Sequence, residues 1–420
     1  MTDTETQARE ESAEDAEEPF LLWALKLLSR VSFAAGCAGT LVLTLAYLWP
    51  EVNVPVYYFV VRPGFVWFGG VLPFLLAGII GVRLRWIAPA LVLWGFGLGL
   101  TGDYLPLLRF DPGDSRAAFA AARRAYRAGE NSSENPSAAR RPLRIITWNI
   151  EGGRAMKVSE GLEWLERLSP DLVLMQESRD HVLREALEQT SAFEGYEFAG
   201  DRQSILSRFP VSPLDTGPLD RWRGDAWKVH VSPESTVAVL NVHLSSQPLR
   251  TQLLRGWSVA QIRESIATYK IELHAVRGLV QKYSDRWPVI LGGDFNLPPC
   301  YPPMRRLRSR LKDCFTAAGS GWGRTVPISF PVVRIDMIMV PRSSRVYYAA
   351  ALDSDRSDHL PVIAEAAVPV HGSGAVRRPD IGPAWEGMCG VLTGCRPHGG
   401  SPVAPGRATA HVTPPSRRAD

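Results

Sequence analysis

The sequence VILGGDFNLP, residues 289–298, is the strongest single indication of how this chain folds. It begins with a short apolar run, continues with two glycines, and then carries Asp294 and Asn296. An apolar run of this length, bounded by glycine and polar residues, is typical of a buried β-strand. Polar side chains directly after such a strand leave the sheet at its edge. The segment therefore predicts an α/β domain with a cleft at the ends of its strands.

Five further segments combine an apolar strand with polar residues inside it or directly beside it. Asn149 follows RIITW, Glu177 follows DLVLMQ, His243 follows VAVLNV, Asp336 lies in RIDMIMV, and Asp358 and His359 precede LPVIAEA. A single Asp or Asn at a strand end is commonly a turn former. Turn formation does not explain two histidines, a glutamate, several aspartates and two asparagines on successive strands. The set therefore indicates a functional site.

These residue types suit the hydrolysis of a phosphate ester with the help of Mg²⁺. This ion prefers oxygen ligands, and one or two carboxylates with an amide oxygen are sufficient to hold it. An aspartate followed two residues later by an asparagine can orient a water molecule, and a histidine beside an aspartate can face developing negative charge. The chain has no GxSxG sequence and no GxxxxGK[ST] loop, which argues against a serine nucleophile and against nucleotide-driven work.

The N-terminal part of the chain differs from the α/β region in composition. Residues 1–19 are acidic and nearly free of apolar residues, which predicts a disordered tail. Residues 20–102 contain three long apolar runs without internal charges. Their lengths approach the roughly 20 residues that cross a bilayer, so we expect an all-α transmembrane region of about three helices. A buried helical hairpin is the alternative.

The distribution of basic residues gives an orientation for a multi-pass protein of the cell membrane. Lys26, Arg30, Arg83 and Arg85 favour placing the N-terminal face inside, and an odd number of spans then puts the catalytic domain outside the cytoplasm. Basic residues near 109–116 argue the opposite way. We expect residues 103–142 to form a linker, with a short basic helix in the first half of residues 117–142, and residues 369–420 to form a disordered tail rich in Pro, Gly and Arg.

The net charge and the cysteine content of the whole chain exclude few classes of protein. A net charge of +4 over 420 residues is too small to indicate nucleic-acid binding by itself. The five cysteines form no CxxC pair and have no histidine at zinc-ligand spacing, which argues against a structural zinc site. Cys300 and Cys314 either form a disulfide or are inert thiols, and the sequence leaves both alternatives open.

Seven segments in a fixed order resemble the endonuclease/exonuclease/phosphatase superfamily. They are TWNIEGG, LMQES, SILSRFP, LNVHL, GGDFNLP, RIDMIMV and SDHLP. The superfamily includes DNase I-like nucleases, inositol polyphosphate 5-phosphatases and neutral sphingomyelinases, and the resemblance covers about residues 143–368. It implies a four-layered α/β sandwich, in which two central β-sheets are flanked by helices and the site lies at one edge.

The resemblance also implies ligands for the metal ion. Asn149 and Glu177 would bind Mg²⁺, with Mn²⁺ as the alternative ion, and Asp358 would lie close to this metal or to a second one. Glu151 stands where many relatives carry an acidic residue next to the metal. Because that residue is Glu here and not Asp, its role stays open.

The remaining roles implied by the resemblance concern the reaction and the substrate. Asp294 would orient and deprotonate the attacking water, while Asn296 and His243 would contact the phosphoryl group. His359 would act on the scissile phosphate and Asp336 would orient it. Arg208, in LSRFP, matches a basic position that faces the cleft, although an ordinary surface arginine is an equal alternative.

The substrate is left open by the sequence, and four functions compete. The membrane region favours a tethered phosphatase that acts on a lipid or envelope phosphate ester, such as a prenyl diphosphate. A membrane-tethered nuclease for DNA or RNA, an inactive scaffold and a transporter are the alternatives. RTQLLR, RRLRSRLK and three tryptophans (Trp222, Trp227 and Trp257) either contact substrate or serve as surface and packing residues. No obligate protein partner is inferred.

Overall fold

A computed structural model describes most of the chain. The described residues are 3–48, 64–101, 104–109, 113–128, 140–151, 158–219, 223–246, 259–301, 303–326 and 333–370, and they belong to one compact unit within residues 1–374. The predicted disordered C-terminal tail, the second half of the predicted linker, the RTQLLR segment, Trp222 and Trp257 lie largely or wholly outside the described residues.

The described elements begin with helices and continue as an α/β domain. The helices are α1 (Asp3–Leu48), α2 (Gly64–Leu76), α3 (Leu84–Leu100), α4 (Gly113–Arg127), α5 (Val158–Arg167), α6 (Asp180–Gln189), α7 (Val259–Ser284), α8 (Met304–Arg310) and α9 (Cys314–Ala318). The strands are β1 (Arg140–Asn149), β2 (Leu172–Gln176), β3 (Glu197–Gly200), β4 (Gln203–Ser207), β5 (Val211–Pro213), β6 (Gly224–Ser232), β7 (Ser235–His243), β8 (Val289–Asp294), β9 (Leu311–Asp313), β10 (Asp336–Pro341), β11 (Arg345–Ala351) and β12 (Val362–Pro369).

The strands form two mixed sheets of six strands each. The first sheet has the order β11-β12-β1-β2-β4-β3, and the second has the order β5-β6-β7-β8-β10-β9. Alternate residues of each central strand point between the sheets, because successive side chains of a strand face opposite sides. The core between the sheets contains Leu143, Ile145, Leu172, Leu174, Val237, Val239, Ile290 and Ile338.

Helices cover the outer faces of both sheets. On the first sheet, Ile146 and Val173 pack with Leu162 of α5 and Leu183 of α6. On the second sheet, Leu240 and Val242 share a cluster with Tyr269, Leu273 and Val276 of α7. The result is a four-layered α/β sandwich, which confirms the predicted fold class.

The N-terminal helices differ in part from the sequence-based expectation. Helix α1 begins at Asp3, so it includes the acidic stretch that the sequence analysis assigns to a disordered tail. Glu and Ala are the most frequent residues of that stretch within the helix, and both have high helix propensity. One segment, Phe20–Leu48, is long and apolar enough to cross a membrane; it could also be a signal sequence.

The expectation of three membrane spans has no support from the helix lengths. The other two apolar helices, Gly64–Ile79 and Leu84–Leu100, have 17 residues or fewer. At 1.5 Å per residue, a 17-residue helix is about 26 Å long, which is shorter than a hydrocarbon core of roughly 30 Å.

Helix α4 lies within the segment that the sequence analysis assigns to a linker, and it packs on the first sheet. Phe119 is buried and its ring contacts that of Tyr347. Arg123 donates to the Asp171 carboxylate at 2.6 Å. Cys300 and Cys314 do not form a disulfide with each other, and Cys314 is buried.

Candidate active site

The polar residues singled out at strand ends meet at one edge of the sandwich, which we call the catalytic edge. Strands β1 and β2 are parallel and end side by side at Asn149 and Gln176. Strands β7 and β8 are also parallel and pair His243 with Asp294. Antiparallel β10 begins at Asp336, opposite Asp294. The two sheets therefore bring the ends of five strands together.

Asp294 lies at the centre of this group and is 1% exposed. Its carboxylate accepts hydrogen bonds from Asn149 Nδ2 at 3.1 Å and from the backbone N–H of Asn296 at 2.8 Å. Burial raises the pKa of Asp294 to about 6, and the nearby Asp336 carboxylate adds to the increase against the opposing effects of His359 and His243. A carboxylate with such a pKa can exchange a proton near neutral pH.

His359 is held by Asp336 and faces Asp294. Its Nδ1 lies 3.0 Å from Asp336 Oδ2, and its Nε2 lies 3.8 Å from Asp294 Oδ2. Burial acts to lower the pKa of His359, but the Asp336 and Asp294 carboxylates outweigh it and raise this pKa to about 10. The imidazole is therefore a cation at neutral pH, and its Nε2–H points toward the centre of the site.

Glu177 and His243 complete the group from opposite sheets. Glu177 follows β2 in a left-handed backbone conformation, with φ of 54°. Its Oε1 accepts from Asn149 Nδ2 at 3.1 Å and lies 3.5 Å from His243 Nε2. His243 Nε2 also lies 3.8 Å from Asp294 Oδ2. The Glu177 side chain is 40% exposed, so it borders the open side of the site.

Asn296 connects the strand end to the following loop. Its Nδ2 donates to the carbonyl oxygen of Leu244 at 2.8 Å and to Asp294 Oδ2 at 3.4 Å. Its φ of 53° places it in a left-handed turn directly after β8. The longer of its two hydrogen bonds is the weaker one, so this N–H is the one that can turn toward a substrate oxygen.

The group has the oxygen donors and the negative charge that suit a divalent cation. Asp294, Asp336 and His359 place ligand atoms within 4.8 Å of one another. Because Asp336 and His359 already bond to each other, we consider the Asn149–Glu177–Asp294 side of the group the better cation site. Asn149 Oδ1 accepts from the Glu151 N–H at 3.0 Å, so its amide would have to turn to present oxygen to a cation.

Glu151 and Asp358 lie at the margin of the group. The Glu151 carboxylate makes no hydrogen bond or ion pair with the described residues, and the backbone φ of Glu151 is 48°. Asp358 is 41% exposed, and its Oδ1 lies 4.0 Å from His359 Nε2. The Asp358 carboxylate therefore adds negative charge near His359.

Arg208 is not at the catalytic edge, which corrects the expectation that it faces the cleft. Strand β4 is antiparallel to β2 and pairs Ser207 with Leu172, at the start of β2. Arg208 therefore follows β4 at the opposite edge of the sheet, where its guanidinium donates to Tyr196 Oη and to the carbonyl oxygen of Pro170. The direction of β4 could not be read from the local sequence.

Three buried polar residues lie beneath the site and are not among the residues predicted from the sequence: Thr147, Gln176 and Asn241. Gln176 and Asn241 share a hydrogen bond of 2.6 Å across the two sheets, and Gln176 also donates to Thr147. Each precedes a site residue by one or two positions. A polar residue at an inward-facing position of an apolar strand is the signal that could have identified them.

Comparison with protein families gives one match. Residues 146–359 match the sequence model of the Endonuclease/Exonuclease/phosphatase family. No curated protein matches the chain.

Several solved structures are similar to the α/β part. An endonuclease/exonuclease/phosphatase from Beutenbergia cavernae DSM 12333 is 22% identical, with a TM-score of 0.41 over 55% of this chain and 72% of that chain. A mannosyl-6-phosphatase from Bacteroides thetaiotaomicron VPI-5482 is 18% identical, with a TM-score of 0.39 over 53% of this chain and 99% of that chain. TDP2 of D. rerio, complexed with a single-strand DNA product, is 18% identical, with a TM-score of 0.41 over 54% of this chain and 98% of that chain.

Proposed function

We propose, because the chain belongs to the endonuclease/exonuclease/phosphatase family, that it is a membrane-anchored hydrolase which cleaves a phosphate ester of a membrane lipid with the help of a divalent metal ion. The observation that carries the chemical part of this proposal is the arrangement around Asp294. A buried carboxylate that can accept a proton lies 3.8 Å from an imidazolium nitrogen of His359 and within reach of two amides.

The residues of the site divide the reaction among them. Asp294 accepts a proton from the attacking water and orients it for in-line attack on phosphorus. His359, held by Asp336, presents Nε2–H to the negative charge that develops on the phosphoryl group. Asn296 and His243 contact the phosphoryl oxygens from the second sheet.

A divalent ion would be held by Glu177 and the amide oxygen of Asn149, with Asp358 and Glu151 nearby. Such an ion supplies charge neutralisation on the non-bridging and leaving oxygens. Mg²⁺ suits these oxygen donors, and Mn²⁺ is the alternative.

The apolar helices support the membrane part of the proposal. Large apolar side chains of α1 to α3, such as Leu28, Phe74 and Val92, are exposed, and so extensive an apolar surface is unfavourable in water. The bilayer is the environment that would cover it, with Phe20–Leu48 as the span.

The same helices contact loops next to the catalytic edge, which supports a lipid as the substrate. The ring of Phe65 contacts that of Trp322, and the guanidinium of Arg324 lies over the rings of Tyr104 and Trp322. The next residue, Thr325, accepts a hydrogen bond from the N–H of Leu360, which follows His359. A site held this close to the anchor meets lipid head groups at high effective concentration.

The experiment uses the full chain in detergent micelles and in vesicles, with Mg²⁺ or Mn²⁺. Hydrolysis of a prenyl diphosphate, a phosphoinositide, sphingomyelin, a sugar phosphate, RNA and plasmid DNA is measured side by side. We expect metal-dependent turnover of one lipid substrate, and its loss by at least about 10³-fold in Asp294→Ala. Asp215→Ala is the matched control and should keep wild-type turnover, because it removes an exposed carboxylate that, among the described residues, bonds to Lys282 and to the N–H of Gly217.

Other outcomes would replace the proposal. Turnover of nucleic acid alone, with a steep dependence on salt, would make the chain a tethered nuclease. Wild-type turnover in Asp294→Ala would remove the role assigned to Asp294. Absence of turnover for every substrate would favour the scaffold.

A further inference from the structure

Along the strands toward the catalytic edge, the side chains that face the core between the two sheets change from apolar to polar just before the site. In β1, the inward-facing row runs Leu143, Ile145, Thr147 and Asn149. In β2 it runs Leu172, Leu174 and Gln176, and in β7 it runs Val237, Val239, Asn241 and His243. We call Thr147, Gln176 and Asn241 the polar layer. It lies between the apolar core and the site.

Hydrogen bonds in the polar layer connect the two sheets. Gln176 Nε2 of the first sheet donates to Asn241 Oδ1 of the second at 2.6 Å and to Thr147 Oγ1 at 3.0 Å. In the reverse direction, Asn241 Nδ2 donates to the carbonyl oxygens of Met175 and Ser204 at 2.8 and 3.0 Å. Asn241 therefore bonds to two neighbouring strands of the opposite sheet.

Stability does not explain why polar side chains occupy this layer. All three members are completely buried. Burial of amides costs free energy unless every polar atom finds a partner, and Gln176 Oε1 has no partner among the described residues. Replacement of both partners of such a bond by apolar groups of similar shape is often neutral for stability.

The hydrogen bonds of the polar layer lie directly beneath a site whose geometry depends on the distance between the two sheets. Several contacts of the site cross from one sheet to the other, including Asn149 to Asp294 at 3.1 Å and Glu177 to His243 at 3.5 Å. Apolar contacts are non-directional, whereas hydrogen bonds require a narrow range of distance and angle. Bonds across the sheets therefore limit sliding and separation of the sheets just below these contacts.

We propose that Gln176 and Asn241 are positioning residues, whose hydrogen bond across the sheets holds the metal-binding strand ends of the first sheet in register with Asp294 and His243 of the second. The inference rests on the proposed function for its catalytic readout. Displacements of about 1 Å at a catalytic group can reduce turnover by about 10²-fold.

The test compares Gln176→Met, Asn241→Leu and the double variant in the full chain. Three quantities are measured: the melting temperature, the Mn²⁺ concentration that gives half of the metal-induced rise in melting temperature, and kcat for bis(p-nitrophenyl) phosphate. Each single variant leaves a buried polar partner unsatisfied, so its melting temperature should fall by at least about 2–4 °C. The double variant removes both ends of the Gln176–Asn241 bond and should recover much of this loss, although the carbonyl oxygens of Met175 and Ser204 still lack the Asn241 donor.

The expected result is a separation of stability from activity. In the double variant, kcat should stay about 10²-fold below wild type and the Mn²⁺ midpoint should stay raised, although the melting temperature has recovered. Return of both quantities to wild-type values together with the melting temperature would overturn the proposal, since the bond would then serve stability alone. If the wild-type chain does not hydrolyse the probe, the proposed function is in question, and the Mn²⁺ midpoint alone still decides the inference.

Two further variants serve as controls. The first is a milder change within the polar layer, in case the larger substitutions prevent folding, and the second is a change of buried polar groups outside this layer. Thr147→Val removes one acceptor of the Gln176 amide with little change in volume, and it should raise the Mn²⁺ midpoint by a smaller factor. Arg144→Met with Glu365→Leu removes a buried ion pair on the outer face of the first sheet. This pair faces away from the polar layer, on the other side of the first sheet, so its loss should leave kcat and the Mn²⁺ midpoint unchanged.

Discussion

At the scale of single residues, the site sets two buried groups to opposite protonation states. Burial and Asp336 raise the pKa of Asp294 to about 6, which keeps it a carboxylate at neutral pH but a competent base. For His359, Asp336 and Asp294 outweigh burial and raise the pKa to about 10, which keeps it a cation. A base and an acid with separated pKa values can therefore act on one substrate at the same pH.

The pH dependence of kcat/KM should follow from these two groups. Below a pH of about 6, Asp294 becomes protonated and can no longer accept a proton from water, so kcat/KM should fall as the pH decreases. Toward a pH of about 10, His359 loses its proton and kcat/KM should fall again. The measurement is a pH profile of kcat/KM for the full chain at saturating metal.

Asp336→Asn tests which groups cause the fall of kcat/KM at low pH and at high pH. Removal of the Asp336 charge should lower the pKa of Asp294 and that of His359. Both the acidic and the basic fall of kcat/KM should therefore occur at lower pH. An unchanged pH profile of kcat/KM in this variant would show that other groups control the rate.

At the scale of secondary-structure elements, an ion pair fixes the start of β10. Asp313 ends β9 and caps α9 by accepting from the N–H of Phe315 at 3.0 Å. Its carboxylate also accepts from both Nη atoms of Arg334, at 3.1 and 2.8 Å, and both side chains are buried. Arg334 lies two residues before Asp336, so the pair holds the segment that delivers Asp336 to the site.

Arg334→Met should destabilise the fold strongly, because it leaves the Asp313 carboxylate buried and uncompensated. We expect a loss of about 3–5 kcal/mol in the free energy of unfolding near pH 7, measured by urea denaturation. Burial acts to raise the pKa of Asp313, but Arg334 outweighs it and holds this pKa below its usual value. The stabilisation is therefore present above a pH of about 4 and is lost as the pH falls through the pKa of the folded state.

The difference between wild type and Arg334→Met should accordingly shrink in acid. Arg342→Met serves as the control, because the exposed guanidinium of Arg342 donates to the backbone oxygen of Arg308 and makes no ion pair with the residues that the structure describes. An equal loss of stability in both variants, or a difference that does not change with pH, would contradict this account.

At the scale of the whole molecule, helix α4 joins the apolar helices to the catalytic domain. Its Phe119 is buried against the first sheet, and its Arg123 pairs with the buried Asp171. Farther along the surface, Arg109 donates to the carbonyl oxygens of Gly319 and Thr316. The segment between anchor and domain is therefore packed onto the domain over much of its length.

Phe119→Ala should measure the contribution of this packing. Truncation of a fully buried phenylalanine typically costs about 3–5 kcal/mol, because apolar burial is lost and a cavity remains. The melting temperature of the full chain should fall, while kcat at a temperature below the transition should not change. Phe119→Leu keeps most of the volume and should lose less than about 1.5 kcal/mol. Equal melting temperatures for Phe119→Ala and wild type would show that α4 does not stabilise the domain.

The local sequence was sufficient to find the strands and the polar residues at their ends. A short apolar run followed by Asp, Asn, Glu or His is a pattern of neighbouring residues, and Asn149, Glu177, His243 and Asp294 all follow it. The tertiary structure alone decided which of these ends meet, because pairing depends on the direction of strands far apart in the chain. That direction takes Arg208 to the opposite edge, since β4 is antiparallel to β2. It also places Asn241 against Gln176, since only the packing of two sheets brings residues 65 positions apart within 2.6 Å.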